Sequence, residues 1–187
     1  MEEPGRVPGS FACGGSLPCV ESNDRYQGIV GLRALRAYRD EPLDPADLTA
    51  IIEAARWTGS SKNSQNWAFV VVDDEEQRRR LADCGTYTSP VRDAPVTIAL
   101  VEELGGYEFD TGRVAQNIML AADSLGIASC PVTLHREDDA AVVLGLPDGA
   151  RCRFAVTLGY PAPDAAPGSW GGRKPLDELT HSNRYGE

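Results

Sequence analysis

The stretch Asp44–Val72, DPADLTAIIEAARWTGSSKNSQNWAFVVV, predicts a helix, a polar loop and a strand in direct succession. Asp44 followed by Pro45 is typical of a helix N-cap and first turn, and apolar residues then recur on one helical face. The nine residues Gly59–Trp67 interrupt this periodicity and predict a loop. The continuous aromatic and β-branched run Trp67–Val72 predicts a strand. Helix and strand are therefore expected side by side early in the chain.

Strands and helices continue to alternate outside this stretch. Two more strands are predicted, Pro95–Val101 and Arg151–Leu158. We expect all three strands to be buried on both faces. Four more helices are predicted, Asp24–Tyr38, Glu75–Ala82, Thr111–Leu125 and Asp138–Leu144. Asp110 is the expected N-cap of the helix Thr111–Leu125. Gly126 and Gly145 are expected to end the helices Thr111–Leu125 and Asp138–Leu144. The alternation predicts an α+β or α/β class.

Length and composition favour one globular domain preceded by an arm. The chain has 187 residues, of which 42% are hydrophobic and 25% charged, enough to bury a core. Residues 1–23 are rich in proline, glycine and small polar residues, which predicts a flexible arm before a single domain over residues 24–187. The segment Ala162–Gly172 predicts an extended connection, and the last fifteen residues are expected to form a second arm.

Charge and hydropathy exclude several partners. The formal net charge of −10 repels phosphate backbones, so we expect no nucleic-acid partner. No apolar run approaches the roughly 20 residues of a membrane helix. The N-terminus has no basic start followed by an apolar stretch. We therefore expect a cytoplasmic protein that does not enter a membrane.

The sequence lacks several common catalytic devices. The five cysteines show no CxxC spacing and predict free thiols. The two histidines, His135 and His181, are too far apart in sequence to indicate a metal site. No GxSxG, GxxxxGK[ST] or GxGxxG motif is present, so the usual nucleophile turn and nucleotide-binding loops are missing. A nucleotide cofactor would need another arrangement.

Two polar groups remain as candidate ligand-binding elements. The loop Gly59–Trp67 is rich in Ser, Asn and Gln, whose donors and acceptors suit a heteroaromatic ligand; the alternative is an ordinary polar turn. Arg33 and Arg36, three residues apart on the expected first helix, form a candidate phosphate-binding pair, with Arg173 and Lys174 supplying further charge. The alternative for these residues is a solvated surface.

In this order, the segments resemble the nitroreductase family of flavoproteins. The resemblance covers about residues 31–186 and rests on RALRAY at 33–38, SSKNSQNW at 60–67, DTGRVAQN at 110–117 with the later Leu125-Gly126, and RKPLDE at 173–178. It implies an α+β, nitroreductase-like fold with a central mixed β-sheet flanked by helices. It also implies a homodimer that exchanges C-terminal arms and binds two FMN molecules at its interface.

The resemblance also implies a set of FMN-binding residues: Arg33, Arg36, Ser61, Asn63, Gln65, Pro131, Thr133, Leu134 and Arg173. Arg33 and Arg173 are expected to hold the phosphate, and Arg36 to lie near the O2/N1 edge of the ring. The three loop residues are expected to bind ribityl and ring atoms. The segment Pro131–Leu134 is expected to lie against the ring, with a backbone N–H around Thr133 facing N5.

The implied activity is hydride transfer from NAD(P)H, through N5 of FMN, to an electron-poor acceptor such as a nitroaromatic compound or quinone. No catalytic side chain and no metal are expected. Ala34 stands where the family often has Ser, and Asn66 where Pro commonly precedes the Trp; a pocket-shaping insertion is also absent. Alternatives therefore stay open: a biosynthetic flavin oxidase or dehydrogenase, a non-enzymatic flavin-binding or sensing protein, a dimer without FMN, or a deazaflavin as cofactor.

Overall fold

The computed structural model describes residues 24–169 and 172–186. The expected arm over residues 1–23 lies outside the described residues. The first helix, α1, covers Asp24–Gly31 and contains no buried residue. The prediction that this helix reaches Tyr38 is wrong, because the residues after Gly31 are not helical.

Residues 32–38 are not helical because their backbone groups pair with β3 and with the segment that follows β4. The N–H of Leu35 donates to the carbonyl of Ser129 at 3.0 Å. Tyr38 forms an isolated β-bridge with Pro161. The three-residue apolar spacing was therefore a misleading signal, and Arg33 and Arg36 do not share a helical face.

The remaining helices and strands alternate along the described chain. The helices are α2 (Pro45–Arg56), α3 (Glu75–Ala82), α4 (Ser89–Asp93), α5 (Glu108–Ser124) and α6 (Glu137–Leu144). The strands are β1 (Trp67–Val72), β2 (Val96–Glu102), β3 (Ala128–Thr133) and β4 (Arg151–Gly159). The predicted helices and strands after α1 are confirmed to within a few residues. The sequence prediction missed α4 and β3.

The four described strands form one sheet in the order β1-β2-β4-β3. Every neighbouring pair is antiparallel. The α+β class is confirmed, and the sheet formed by the described residues is antiparallel and not mixed. β3 escaped prediction because Pro131 lies within it, and proline is tolerated in an edge strand that lacks a partner on one side.

Helices cover both faces of the sheet. α2 and α5 pack on one face, where Ile51 and Ile118 meet Ile98 and Leu100 of β2. α3, α4 and α6 pack on the other face, where β2 presents Ala99. Successive side chains of a strand point to opposite faces, which explains this division. Burial on both faces is confirmed for β2 and wrong for β1, which is an edge strand and only partly buried.

Most of the expected helix ends are confirmed. The Asp44 carboxylate caps α2 by accepting the N–H of Ala46 at 2.7 Å. Gly145 ends α6 with φ +64°, and Gly126 follows α5 with φ +70°. The cap prediction for Asp110 is wrong: α5 begins earlier, at Glu108, so Asp110 lies within its first turn. Within the described part of the chain, no helix combines the length and hydropathy needed to cross a membrane.

Candidate functional site

A cleft of about 620 Å³ opens between segment 82–92, Arg36 and Arg136. This volume lies within the range of small-molecule sites. Arg36, Arg92 and Arg136 line it, together with one acidic residue, Asp83, which pairs with Arg92 at 2.9 Å, while Arg136 pairs with Asp139 at 3.2 Å. The lining is positive although the whole chain carries −10. The cleft therefore favours a ligand with negative charge.

One wall of the cleft packs tightly against the end of β3. A Cβ on Gly85 would lie 2.2 Å from Cγ2 of the buried Thr88 and 2.9 Å from the carbonyl oxygen of Thr133. Glycine is therefore required for this approach. The N–H of Arg136 donates to the carbonyl of Cys84 at 2.9 Å, which joins the same two segments.

Arg36 reaches the cleft because the segment around it is tied to the sheet. The N–H of Leu35 bonds Ser129 of β3, as described above. The hydroxyls of Tyr38 and Thr157 lie 2.6 Å apart, which ties the other side of Arg36 to β4. The position of Arg36 is thus set by backbone pairing and not by a helix.

Two acidic groups close to Arg36 stay protonated at neutral pH. Burial raises the pKa of the Cys130 thiol, and the neighbouring Arg36 guanidinium offsets this only in part. Burial likewise raises the pKa of the Tyr38 hydroxyl, although its hydrogen bond with Thr157 opposes the shift. Neither group neutralises Arg36, so its positive charge is available to a ligand.

The segment Pro131–Leu134 alternates between surface and core. Pro131 is exposed and Thr133 is half-buried, whereas the side chain of Leu134 is fully buried. The N–H of Leu134 donates to the carbonyl of Arg153 at 2.7 Å. Pro131 and Thr133 are therefore accessible to a ligand. Leu134 offers neither its side chain nor its N–H, which does not support the predicted contact there.

The polar loop before β1 is exposed and strained. Ser61–Asn63 forms one 3₁₀ turn. Lys62, Asn63 and Gln65 have φ of +54°, +55° and +51°. Left-handed backbone costs a non-glycine residue roughly 1–2 kcal/mol, somewhat less for Asn. Such strain is concentrated at ligand-binding and catalytic sites, so it supports a functional loop over an ordinary turn.

A smaller cavity of about 310 Å³ lies beside this loop. Ser61 and Ser64 line it together with the first turn of α5, including Asp110 and Thr111. Asp110 is mostly buried and pairs with Arg113 at 3.4 Å. The loop therefore borders a polar cavity as well as solvent.

The predicted site residues fall into two groups at opposite edges of the sheet. The loop precedes β1, while Pro131 and Thr133 belong to β3 and Arg36 is tied beside it. Three strand spacings separate β1 from β3, so the two edges are roughly 14 Å apart. One group contains Arg36, Pro131 and Thr133, and the other contains Ser61, Asn63 and Gln65. The described residues of a single chain do not bring the two groups together.

Neither predicted phosphate ligand lines the cleft. Arg33 is exposed, and its Nη1 donates to the carbonyl of Leu32 at 2.8 Å. Arg173 belongs to segment 172–186, whose residues are all exposed. Both arginines are thus exposed and lie outside this cleft, and their joint role at a phosphate stays a prediction.

Sequence reasoning missed the cleft wall over 83–89 and the arginines Arg92 and Arg136. The available signal was the run of turn-forming residues from Gly85 to Pro90, between a helix and a strand. Such a run predicts a loop but not a ligand. Its proximity to β3 and Arg36 could not be read without the tertiary structure.

Comparison with known proteins supports one family. The model of the Nitroreductase family matches residues 29–85 and 84–160. The oxygen-insensitive NADPH nitroreductase of Salmonella typhimurium is 29% identical over 179 residues, covering 84% of this chain and 72% of that protein. Nitroreductase A of Vibrio parahaemolyticus superposes with a TM-score of 0.80 at 26% identity, covering 89% of this chain and 78% of that one. The NADPH:FMN oxidoreductase of Vibrio harveyi, complexed with NAD⁺, gives 0.79 at 25%, covering 88% and 79%.

The helix-covered antiparallel sheet superposes on those structures over most of the chain, and their names and that of the Salmonella relative define the class as an α+β oxidoreductase. The chain belongs to the nitroreductase family.

Proposed function

We propose that the protein is an FMN-dependent oxidoreductase that passes hydride from NAD(P)H to an electron-poor acceptor such as a nitroaromatic compound or a quinone. The observation that carries the proposal is the arginine-lined cleft, in which Arg36 lies beside the β3 edge with its charge available. The names NADPH nitroreductase and NADPH:FMN oxidoreductase, borne by relatives, support the same cofactors here.

The groups in the cleft fit a flavin. The flavin ring has carbonyl oxygens that need donors and an N–H that needs an acceptor. Arg36 supplies donors, and the exposed hydroxyls of Thr86 and Ser89 supply both functions. The aromatic ring of Tyr87, also in the lining, offers an apolar face. This combination of a few polar groups and an aromatic wall is typical of heteroaromatic sites.

Bound FMN would supply N5, the atom that accepts a hydride and passes it on. Arg36 would stabilise negative charge at the O2/N1 edge, because a guanidinium stays protonated at every physiological pH. Pro131 and Thr133 would border the ring. We assign no side chain as general acid or base, since water can deliver the proton to a reduced acceptor.

The same proposal includes a homodimer. Ser61, Asn63 and Gln65 precede the β1 edge of the sheet and Arg36 lies beside the β3 edge, and these two edges are roughly 14 Å apart by strand spacing. A two-fold axis that places the loop of one subunit over the cleft of the other would complete two equivalent sites. The exposed segment 172–186, including Arg173, is the arm that would be exchanged, and Arg33 would then join Arg173 at the phosphate. A cytoplasmic location remains a prediction.

Visible absorption spectroscopy tests the proposal directly. Purified protein is reconstituted with FMN, and spectra are recorded before and after anaerobic addition of NADPH or NADH. We expect protein-bound flavin absorbance that bleaches with one of the two donors. Flavin that binds but is bleached by neither donor would favour a substrate-reduced oxidase or a sensor. Failure to bind FMN would refute the proposal.

Variants of Arg36 test its assigned role. Arg36→Gln is expected to slow flavin reduction at least tenfold, because removing a donor from a developing oxyanion commonly costs this much or more. The control is Arg79→Gln on α3, which removes an exposed arginine paired with Glu75 and outside the cleft. Equal reduction rates in both variants would remove Arg36 from the mechanism.

A further inference from the structure

Three side chains of α5 hold the entry to the polar loop. Asp110, Arg113 and Asn117 are three and four residues apart, which places them on one face of the helix. Nη1 of Arg113 donates to the carbonyl of Gly59 at 2.6 Å and pairs with Asp110 at 3.4 Å. Nδ2 of Asn117 donates to Oγ1 of Thr58 at 2.8 Å. Polar contacts from α5 therefore fix the two residues that enter the loop.

The loop that these contacts anchor has an intrinsically unfavourable backbone conformation. Lys62, Asn63 and Gln65 all adopt left-handed backbone, which their side chains disfavour. At the exit of the loop, the N–H of Glu103 donates to the carbonyl of Asn66 at 3.2 Å. The strained residues thus lie between two anchored ends, and the entry anchor is formed by side chains that substitution can remove.

We propose that Arg113 and Asn117 are positioning residues that pre-organise the loop for FMN; this inference rests on the proposed function. Neither side chain lines the cleft that contains Arg36. A loop already held in its binding conformation loses less conformational entropy when the ligand binds. The two residues therefore act on FMN affinity and not on the hydride-transfer step.

FMN titration followed by flavin fluorescence measures the affinity in full-length wild type, Arg113→Gln, Arg113→Lys and Asn117→Ala. We expect Kd to rise about tenfold in Arg113→Gln, as for loss of one charge-assisted hydrogen bond. Arg113→Lys keeps a charged donor and should recover most of the affinity. The turnover rate at saturating FMN should match wild type in all variants. The matched control, Arg79→Gln, should bind FMN as wild type does.

Hydrogen exchange separates loop positioning from cofactor binding. In apo-protein, amides of residues 60–66 should exchange faster in Arg113→Gln and Asn117→Ala than in wild type, with the core helices unchanged. If the wild type binds FMN and the variants bind it with the same affinity, this inference is overturned and the proposed function stays intact. Wild type that fails to bind FMN overturns the proposed function itself. Equal losses of FMN affinity in Arg113→Gln and Arg113→Lys would overturn the role of the Gly59 hydrogen bond. If Arg113→Gln does not fold, Asn117→Ala supplies the second test.

Discussion

Replacing Arg151 by methionine is predicted to destabilise the protein through the carboxylate that it leaves behind. Nε and Nη2 of Arg151 lie 3.1 and 2.8 Å from Oε1 of Glu102, which faces Arg151 across the β2–β4 ladder. The Glu102 side chain is only 12% exposed, so water cannot replace the lost donors well. Methionine preserves much of the apolar stem while removing the charge.

The size of this effect follows from the burial of Glu102. A mostly buried charged group without its partner costs about 1–3 kcal/mol. For a chain of this length, about 2 kcal/mol corresponds to a fall in Tm of roughly 4–8 °C. Arg153→Met is the matched control: Arg153 lies two residues along the same strand and pairs at 3.7 and 3.6 Å with Glu108 and Glu137, which Arg151 also contacts and which are both more exposed than Glu102. Exposed pairs contribute about 0–1 kcal/mol.

Urea unfolding and thermal melts at one fixed protein and FMN concentration provide the assay, because bound ligand raises apparent stability. The double variant Glu102→Gln/Arg151→Met should recover part of the loss, giving a coupling energy of about 1 kcal/mol or more. The reasoning is refuted by equal destabilisation in Arg151→Met and Arg153→Met, or by additive effects at Glu102 and Arg151.

Two further predictions concern the cleft wall and the buried thiols. Gly85→Ala should lower the free energy of unfolding by about 1–3 kcal/mol and weaken FMN binding, because the new Cβ overlaps Cγ2 of Thr88 and approaches the carbonyl of Thr133. Adding Thr88→Ser removes the overlapping Thr88 methyl group. Thermal melts and FMN titrations of the double variant should show partial recovery of both stability and FMN affinity. Burial raises the pKa of the Cys152 thiol from 9.0 to about 12. As pH rises, the unfolded chain therefore loses this proton before the folded protein does. The free energy of unfolding should fall by about 1.4 kcal/mol per pH unit between pH 9.0 and about 12. Urea unfolding at pH 8 and pH 10 should show a smaller alkaline loss in Cys152→Ala, and an equal loss would contradict the assignment.

Local signals predicted most elements of this fold. Asp44-Pro45 and the apolar face after them specify α2 within the chain itself, because capping and periodicity are properties of neighbouring residues. The β-branched runs of β1, β2 and β4 are likewise local. The placement of Ser61, Asn63 and Gln65 in a loop followed from the polar composition between α2 and β1.

The failures occurred where distant segments compete for backbone groups. Residues 32–38 carry a helical apolar spacing, yet β3 and the segment after β4 provide partners that a short helix could not match. Pro131 prevented the prediction of β3, because within a sheet proline is found mainly in edge strands. Whether a strand lies at an edge is decided by the assembly of the whole sheet.

The same distinction between local sequence signals and long-range packing applies to the candidate site. The sequence by itself determined which residues are polar, charged or glycine, and hence that Arg36 and the loop before β1 were candidates for binding a flavin. Only the tertiary structure decided that Arg36 joins Arg92, Arg136 and Gly85 around one cleft, while the loop lies across the sheet. The physical reason is that strand order and helix packing set long-range distances, and these depend on which surfaces bury one another and not on the spacing of residues along the chain.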